Sequence, residues 1–255
     1  MRRYLAAEWG RTAARPQFRI ALAILTALAA LLALAFCWTG REGVFQGSFG
    51  DCMALLVPFF TAGLYLAVVA ADTVFSEQYK HHTLKNEVAC GIPRVRIYLG
   101  KLVTAAGAGL LAAFLALLTY TALCRLLIPM EAGDWPAIQT FLFRLLGALP
   151  LWLGALALTM AAMFTFAHTL PMLAVVFGCL MALGPTFRGM ARLGAGPLAA
   201  GADLLWRLTL SAPMDAGAAA LWDPAWLGWC WGVGLLWAAG STLTGLLLFA
   251  RRDIS

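Results

Sequence analysis

LVTAAGAGLLAAFLALLTYTALC, Leu102 to Cys124, runs for 23 residues without one Asp, Glu, Lys, Arg or His. About 20 helical residues cross the ~30 Å hydrocarbon core of a bilayer, so a run this long and this pure reads as a membrane span. Its Leu and Ala do not alternate with polar residues, which argues against a strand of a membrane barrel. Five further runs are equally free of charge: Ile20–Trp38, Cys52–Ala71, Leu145–Ala167, Thr169–Phe187 and Ala225–Ala250. Backbone polar groups in lipid must be satisfied inside their own segment, so each run predicts a helix. The bulk agrees, at 62% hydrophobic and 12% charged with a mean hydropathy of +0.84. Soluble domains average roughly 45–50% apolar and about 25% charged. The expected fold class is an all-α membrane protein with six transmembrane helices.

Lysine and arginine set the orientation, because they are retained on the cytoplasmic side. With the N-terminus inside, 12 of the 18 basic residues lie inside: five arginines from Arg2 to Arg19, then Lys80, Lys85, Arg94, Arg96 and Lys101, then Arg251 and Arg252. The outer loops keep Arg41, Arg125, Arg144, Arg188, Arg192 and Arg207, diluted by seven acids. Both termini are therefore expected in the cytoplasm. The net charge of +6 follows from this topology and implies no nucleic-acid partner. The first run exceeds the ~7–15 residues of a cleaved signal core, and bulky Phe36 excludes lipoprotein processing at Cys37.

The chain reads as a single transmembrane domain over 1–255. We expect an amphipathic interfacial helix over 1–17, spans over 18–38, 52–72, 102–124, 145–167, 169–187 and 225–250, and a cytoplasmic segment over 75–100. In the first helix Leu5 and Trp9 share one face and Arg11 and Arg15 another, which suits a membrane surface. Pro16 should break it from the first span. The fourth and fifth spans are joined by little more than His168 and Thr169, so they should be antiparallel neighbours. Residues 188–224 are too apolar for a solvated loop and too broken by Gly and Pro to span, so short re-entrant or outer helices are expected near Leu198–Leu210 and Met214–Trp222. In the last span Gly228/Gly232 and Ser241/Gly245 are small pairs four apart, which permit close helix packing, and Trp222, Trp226, Trp229 and Trp231 form an aromatic belt. Cys37 and Cys52 flank the first outer loop, where a disulfide and two free thiols are both open.

Catalytic signals are missing. The span interiors hold no ionisable residue, against an intramembrane protease, ion pump or proton-coupled carrier. There is no HExxH and no GxxxxGK[ST] phosphate loop. His81 and His82 point about 100° apart on a helix and would not chelate one metal together. We expect no catalytic residue, no metal and no cofactor on this chain.

There remains FSEQYKHHTLKNEVACGIPRVRIYLGKL, Phe75 to Leu102, which holds all three lysines and two of the three histidines. Thr83 suits an N-cap, Leu84–Cys90 a two-turn helix, Gly91 a left-handed C′ position and Pro93 a stop. Leu84 and Val88 share a face, with Lys85 and Asn86 turned away and Glu87 at the edge. A second helix can run from Pro93 straight into the third span. So short a helix is marginal in water and needs a surface to pack against.

The residues Phe75, Glu77, Thr83, Leu84, Lys85, Asn86, Gly91, Ile92, Arg94, Ile97, Tyr98, Leu99, Lys101 and Leu102 form a pattern. It resembles the segment after the second helix of ABC-2-type ABC transporter permeases, in particular the small bacterial lantibiotic-immunity and bacitracin-resistance permeases. The local likeness covers about 28 residues, and the topology agrees along the whole chain. His82 stands where many relatives have Gly. The resemblance implies a bacterial cytoplasmic-membrane exporter subunit that dimerises with a second permease chain, the same or different, and docks on two ABC ATPase subunits. ATP and Mg²⁺ would bind those ATPase subunits. Thr83–Cys90 would be the coupling helix, with Glu77, Lys80, Thr83, Leu84, Lys85, Asn86, Glu87, Val88 and Arg94 at the ATPase interface. Residues 188–224 would form an outer gate. Charge-free spans suit an amphipathic or hydrophobic cargo, whether antimicrobial peptide, drug or lipid. The alternative is a non-transporting membrane anchor or sensor that recruits a cytoplasmic subunit through the same segment.

Overall fold

The computed structural model describes residues 2–41, 47–80, 90–166, 168–218 and 220–251, and every regular element among them is helical. Helix α1 (Arg2–Ala14) is separated from α2 (Pro16–Arg41) by Arg15 alone. Pro16 opens α2 in the first turn, where its missing N–H costs nothing.

The second apolar run is not one helix. It divides into α3 (Phe49–Leu56), α4 (Phe59–Gly63) and α5 (Leu66–Lys80), with a 45° bend between Phe49–Leu56 and Phe59–Phe75. Ser48 caps α3: its Oγ accepts from the Asp51 N–H at 3.1 Å while Asp51 Oδ2 accepts from the Ser48 N–H at 3.3 Å. Pro58 cannot donate, and the chain tightens around it through bonds three residues apart, such as Phe60 N to Val57 O at 3.2 Å and Leu64 N to Thr61 O at 3.2 Å. A continuous apolar run concealed this break.

Helix α6 (Arg94–Leu127) follows Gly91, whose φ of 77° is left-handed, and Pro93. Its 34 residues give it a length of about 51 Å, so it extends well past a ~30 Å core. A short tight turn, Ala132–Asp134, leads into α7 (Trp135–Thr165), which starts ten residues before the charge-free run and so carries Arg144 on the helix. Next come α8 (Thr169–Phe177), a wide turn at Gly178–Ala182 and α9 (Leu183–Leu193), which continues past residue 187. Two short helices, α10 (Pro197–Arg207) and α11 (Ala212–Ala216), precede α12 (Pro224–Arg251).

Among the described residues, five helices are long and apolar enough to cross a membrane, or six if the bent α3–α5 run is one span. Helix α7 is central, packing along α12 on one side and touching α3 and α5 on others. Helix α2 lies against α6 and presents Ile20, Leu28 and Leu31 outward, as a lipid-facing helix should. Cys37, Cys52 and Cys124 are buried and none of them is in a disulfide, and the Tyr120 hydroxyl donates to Cys52 O at 2.8 Å.

Candidate functional site

The described residues that flank the polar segment, Phe75 on α5 and the start of α6 through Tyr98, are both fixed to one side chain. Phe164, in the last turn of α7, has its ring centroid 4.7 Å from those of Phe75 on α5, Tyr98 on α6 and Phe249 on α12. All four rings are at most 3% exposed. Tilted and edge-on pairs of this kind add about 0.5–1.5 kcal/mol each beyond area burial. Gly245 makes room for the cluster, since a Cβ there would lie 2.6 Å from the Tyr98 hydroxyl. Arg94 ties the same corner shut. Its Nη1 donates to Phe249 O at 2.8 Å and Ala250 O at 2.6 Å, carbonyls left orphaned at the end of α12.

Helix α1 is clamped beside this hub by its polar face. Glu8 and Lys101 are 1% and 0% exposed, and Glu8 Oε1 receives Lys101 Nζ at 3.3 Å and Arg11 Nη1 at 2.9 Å. Arg15 Nη1 donates to Thr73 O on α5 at 2.8 Å. Tyr4 packs on Gly100 and Trp9 on Gly107, positions where a Cβ would collide or crowd. The residues of α1 buried against the bundle are Glu8, Thr12 and Arg15, while Trp9 is 39% exposed. One signal for this existed: Glu8 is the only acid in the first 41 residues.

At the opposite end the chain between α10 and α11 dips along α12. Three α12 indoles donate to it: Trp226 to Pro213 O at 2.7 Å, Trp229 to Arg207 O at 2.8 Å and Trp237 to Leu208 O at 2.7 Å. Eleven residues separate the outer two, so the contacts extend over about 16 Å of helix. Leu210 reaches Gly154 in the middle of α7, and Ser211 lies against Gly184 of α9. The tryptophans are thus donors that satisfy carbonyls of an irregular segment, beyond the belt the sequence implied. Replacing Trp237 with Phe leaves the Leu208 carbonyl without its donor, an expected loss of about 1–2 kcal/mol. Hydrogen exchange should rise in residues 205–212, whereas Trp231→Phe, at an exposed indole, should leave it unchanged.

A match to the ABC-2 family transporter proteins spans residues 5–184. The chain belongs to the ABC-2 transporter family. No curated protein is similar enough to count as a match. The family is a membrane component of transport and is not itself catalytic, and its members normally work with an ABC ATPase. The matched region holds nearly all of α1, the hub residues Phe75, Tyr98 and Phe164, and both roots of the polar segment.

Of the interface residues expected in this ABC-2 chain, Thr83, Leu84, Lys85, Asn86, Glu87 and Val88 lie outside the described residues, as do the side chains of Glu77 and Lys80. Arg94 is placed, and it binds α12. Ser241 and Gly245 are buried, Gly245 against Tyr98, whereas a Cβ added at Gly228 or Gly232 would meet no atom within 4 Å. Asp203 and Arg207 form an i,i+4 pair at 2.8 Å. No group of three or more metal-ligating side chains occurs among the described residues.

Proposed function

We propose that this chain is the permease subunit of an ABC exporter, which moves a hydrophobic or amphipathic substrate outward with ATP hydrolysed on a separate subunit. The observation that carries the reading is the shared anchorage of both roots of the polar segment on Phe164. A push on Thr83–Cys90 would reach α5, α6, α7 and α12 together, because tightly packed rings transmit displacement instead of absorbing it. In this reading the rooted end is cytoplasmic, Glu77 and Lys80 stand at the membrane–ATPase boundary, and two ATPase subunits drive two permease chains in a bacterial cytoplasmic membrane. The segment around Leu208–Pro213 gates the outer side.

The substrate class rests on a second observation. A cavity of about 460 Å³ opens between α2, the bent second span, α6 and α7. Phe18, Leu25, Phe59, Leu66 and Ala112 typify its walls, and only Thr73 and Trp152 bring polar side-chain atoms. Such a lining favours apolar chains or rings over ions.

Copurification with the ABC ATPase tests the coupling. Leu84→Asp together with Val88→Asp should place two charges on the docking face and reduce ATPase capture about 100-fold or more, as expected when buried apolar anchors are replaced. Substrate export should fall with it. Retained capture and retained export would overturn the coupling helix. Retained capture by a wild-type chain that moves no amphipathic peptide, drug or lipid would favour the anchor or sensor.

A further inference from the structure

A second cavity, of about 550 Å³, lies near the rooted end and is lined by Arg2, Arg3, Tyr4, Ile92 and Arg96. Among the described residues no acid contributes to it, and Arg2, Arg3 and Arg96 make no ion pair and no side-chain hydrogen bond. Three guanidinium groups share one space, with no described carboxylate lining it.

Helix geometry adds to the field. Tyr4 packs on Gly100, Glu8 pairs with Lys101 and Trp9 packs on Gly107, so position rises together along both chains. Helices α1 and α6 therefore run in the same direction, and their N-termini sit at the same end. Neither has an acid in its first turn, and no side chain caps α6 at Pro93. Two positive helix ends thus accompany three arginines. That set suits a phosphate, which accepts from planar guanidinium and backbone donors at once.

The geometry points to a binding site for the phosphate headgroup of an anionic membrane lipid. Height favours a lipid over a free phosphate. Arg96 is six residues, about 9 Å, before the charge-free run begins at Leu102, which is the depth of a headgroup layer. The neighbouring surface is apolar, with Val95 and Val103 both 53% exposed on α6, so an acyl chain has a wall to follow. The inference rests on the membrane topology and holds whichever soluble subunit docks on residues 83–90. An occupied site would hold α1 against α6 and make the position of both depend on lipid charge.

The test uses the full-length chain purified in detergent, without any ATPase, and exposed to equal amounts of phosphatidylglycerol and phosphatidylcholine. Native mass spectrometry should show phosphatidylglycerol retained in preference. Arg2→Gln, Arg3→Gln and Arg96→Gln should each reduce its binding about fivefold, and the triple variant roughly 100-fold, from ~1 kcal/mol per basic residue near the surface. Arg96→Lys should restore part of the loss, while Arg125→Gln and Arg192→Gln should have no effect. All these side chains are exposed, so the variants should remain folded, with unchanged elution as the check. Equal retention of both lipids, or an unaffected triple variant, would overturn the proposal. Displacement of phosphatidylglycerol by an equal concentration of inorganic phosphate would reassign the site to free phosphate. A triple variant that keeps the lipid here but loses the ABC ATPase in a separate copurification would assign the arginines to an acidic protein surface instead.

Discussion

Replacing Lys101 with Met is expected to destabilise the protein by about 3 kcal/mol, read as a fall of roughly 6–12 °C in the thermal midpoint in detergent. Glu8 is 1% exposed and its Oε2 already lacks a partner, so loss of Lys101 leaves a buried carboxylate with Arg11 as its remaining cation. Arg11 stays 47% exposed and retains part of its pairing, which places the cost at the low end of the range for a broken buried pair. The double variant Glu8→Gln, Lys101→Met removes the charge as well as its partner. It should therefore be more stable than Lys101→Met alone, a non-additivity that additive losses would disprove. Arg207→Ala supplies the contrast. That pair is closer, at 2.8 Å against 3.3 Å, but its side chains are 62% and 43% exposed, so its loss should cost less than about 1 kcal/mol. Burial decides the difference. If Lys101→Met also uncouples ATPase turnover from export at temperatures where the chain is folded, α1 and α6 act as one lever.

The helices were legible because avoidance of charge over twenty residues has few physical explanations. Local chemistry was legible too: the left-handed Gly91, the restart at Pro93 and the Asp203–Arg207 spacing all depend on neighbours within one or two turns. Long-range pairings were not. Nothing near Glu8 announces Lys101, 93 residues away, and the amphipathicity of α1 taken alone does not say which face meets the bundle. A partner buried in the bundle makes the polar face the inward one. The bend at Pro58 was present in the sequence but outweighed by the purity of the run around it. Arg144 was assigned to a loop because the apolar run begins at Leu145, yet a helix need not start where its lipid contact starts. Arg144 stays on α7 by stacking over Trp226 at 4.8 Å and donating to Ala218 O at 3.3 Å. The aromatic hub was hidden for the same reason as the clamp. Phe75, Phe164 and Phe249 are ordinary apolar residues until the fold brings them onto one point.

Gly234→Ala should be the most damaging single methyl in the last helix, with a net loss of about 2 kcal/mol and a poor yield of monodisperse protein. A Cβ at Gly234 would fall against the Pro150 carbonyl and within 2.8 Å of Leu151 N. These are backbone atoms of α7, which cannot rotate aside, so overpacking costs its full ~1–3 kcal/mol or more and exceeds the ~1 kcal/mol that Ala gains over Gly in a helix. The facing surface has the same character: Gly147 receives Trp226, and Gly154 lies 3.0 Å from Gly234 O when given a Cβ. Those two are seven apart, two full turns, which a search for small residues four apart passes over. Of the two four-apart pairs that the sequence offers, Ser241 and Gly245 are buried, Gly245 against Tyr98, whereas Gly228 and Gly232 are open on this chain. Gly228→Ala and Gly232→Ala should accordingly raise the midpoint slightly in a monomer, by up to ~1 kcal/mol each. A fall confined to the fraction eluting as a dimer would instead place these two glycines against a second permease chain. Equal losses at 228, 232 and 234 in the monomer would disprove the α7–α12 seam as the site of closest approach.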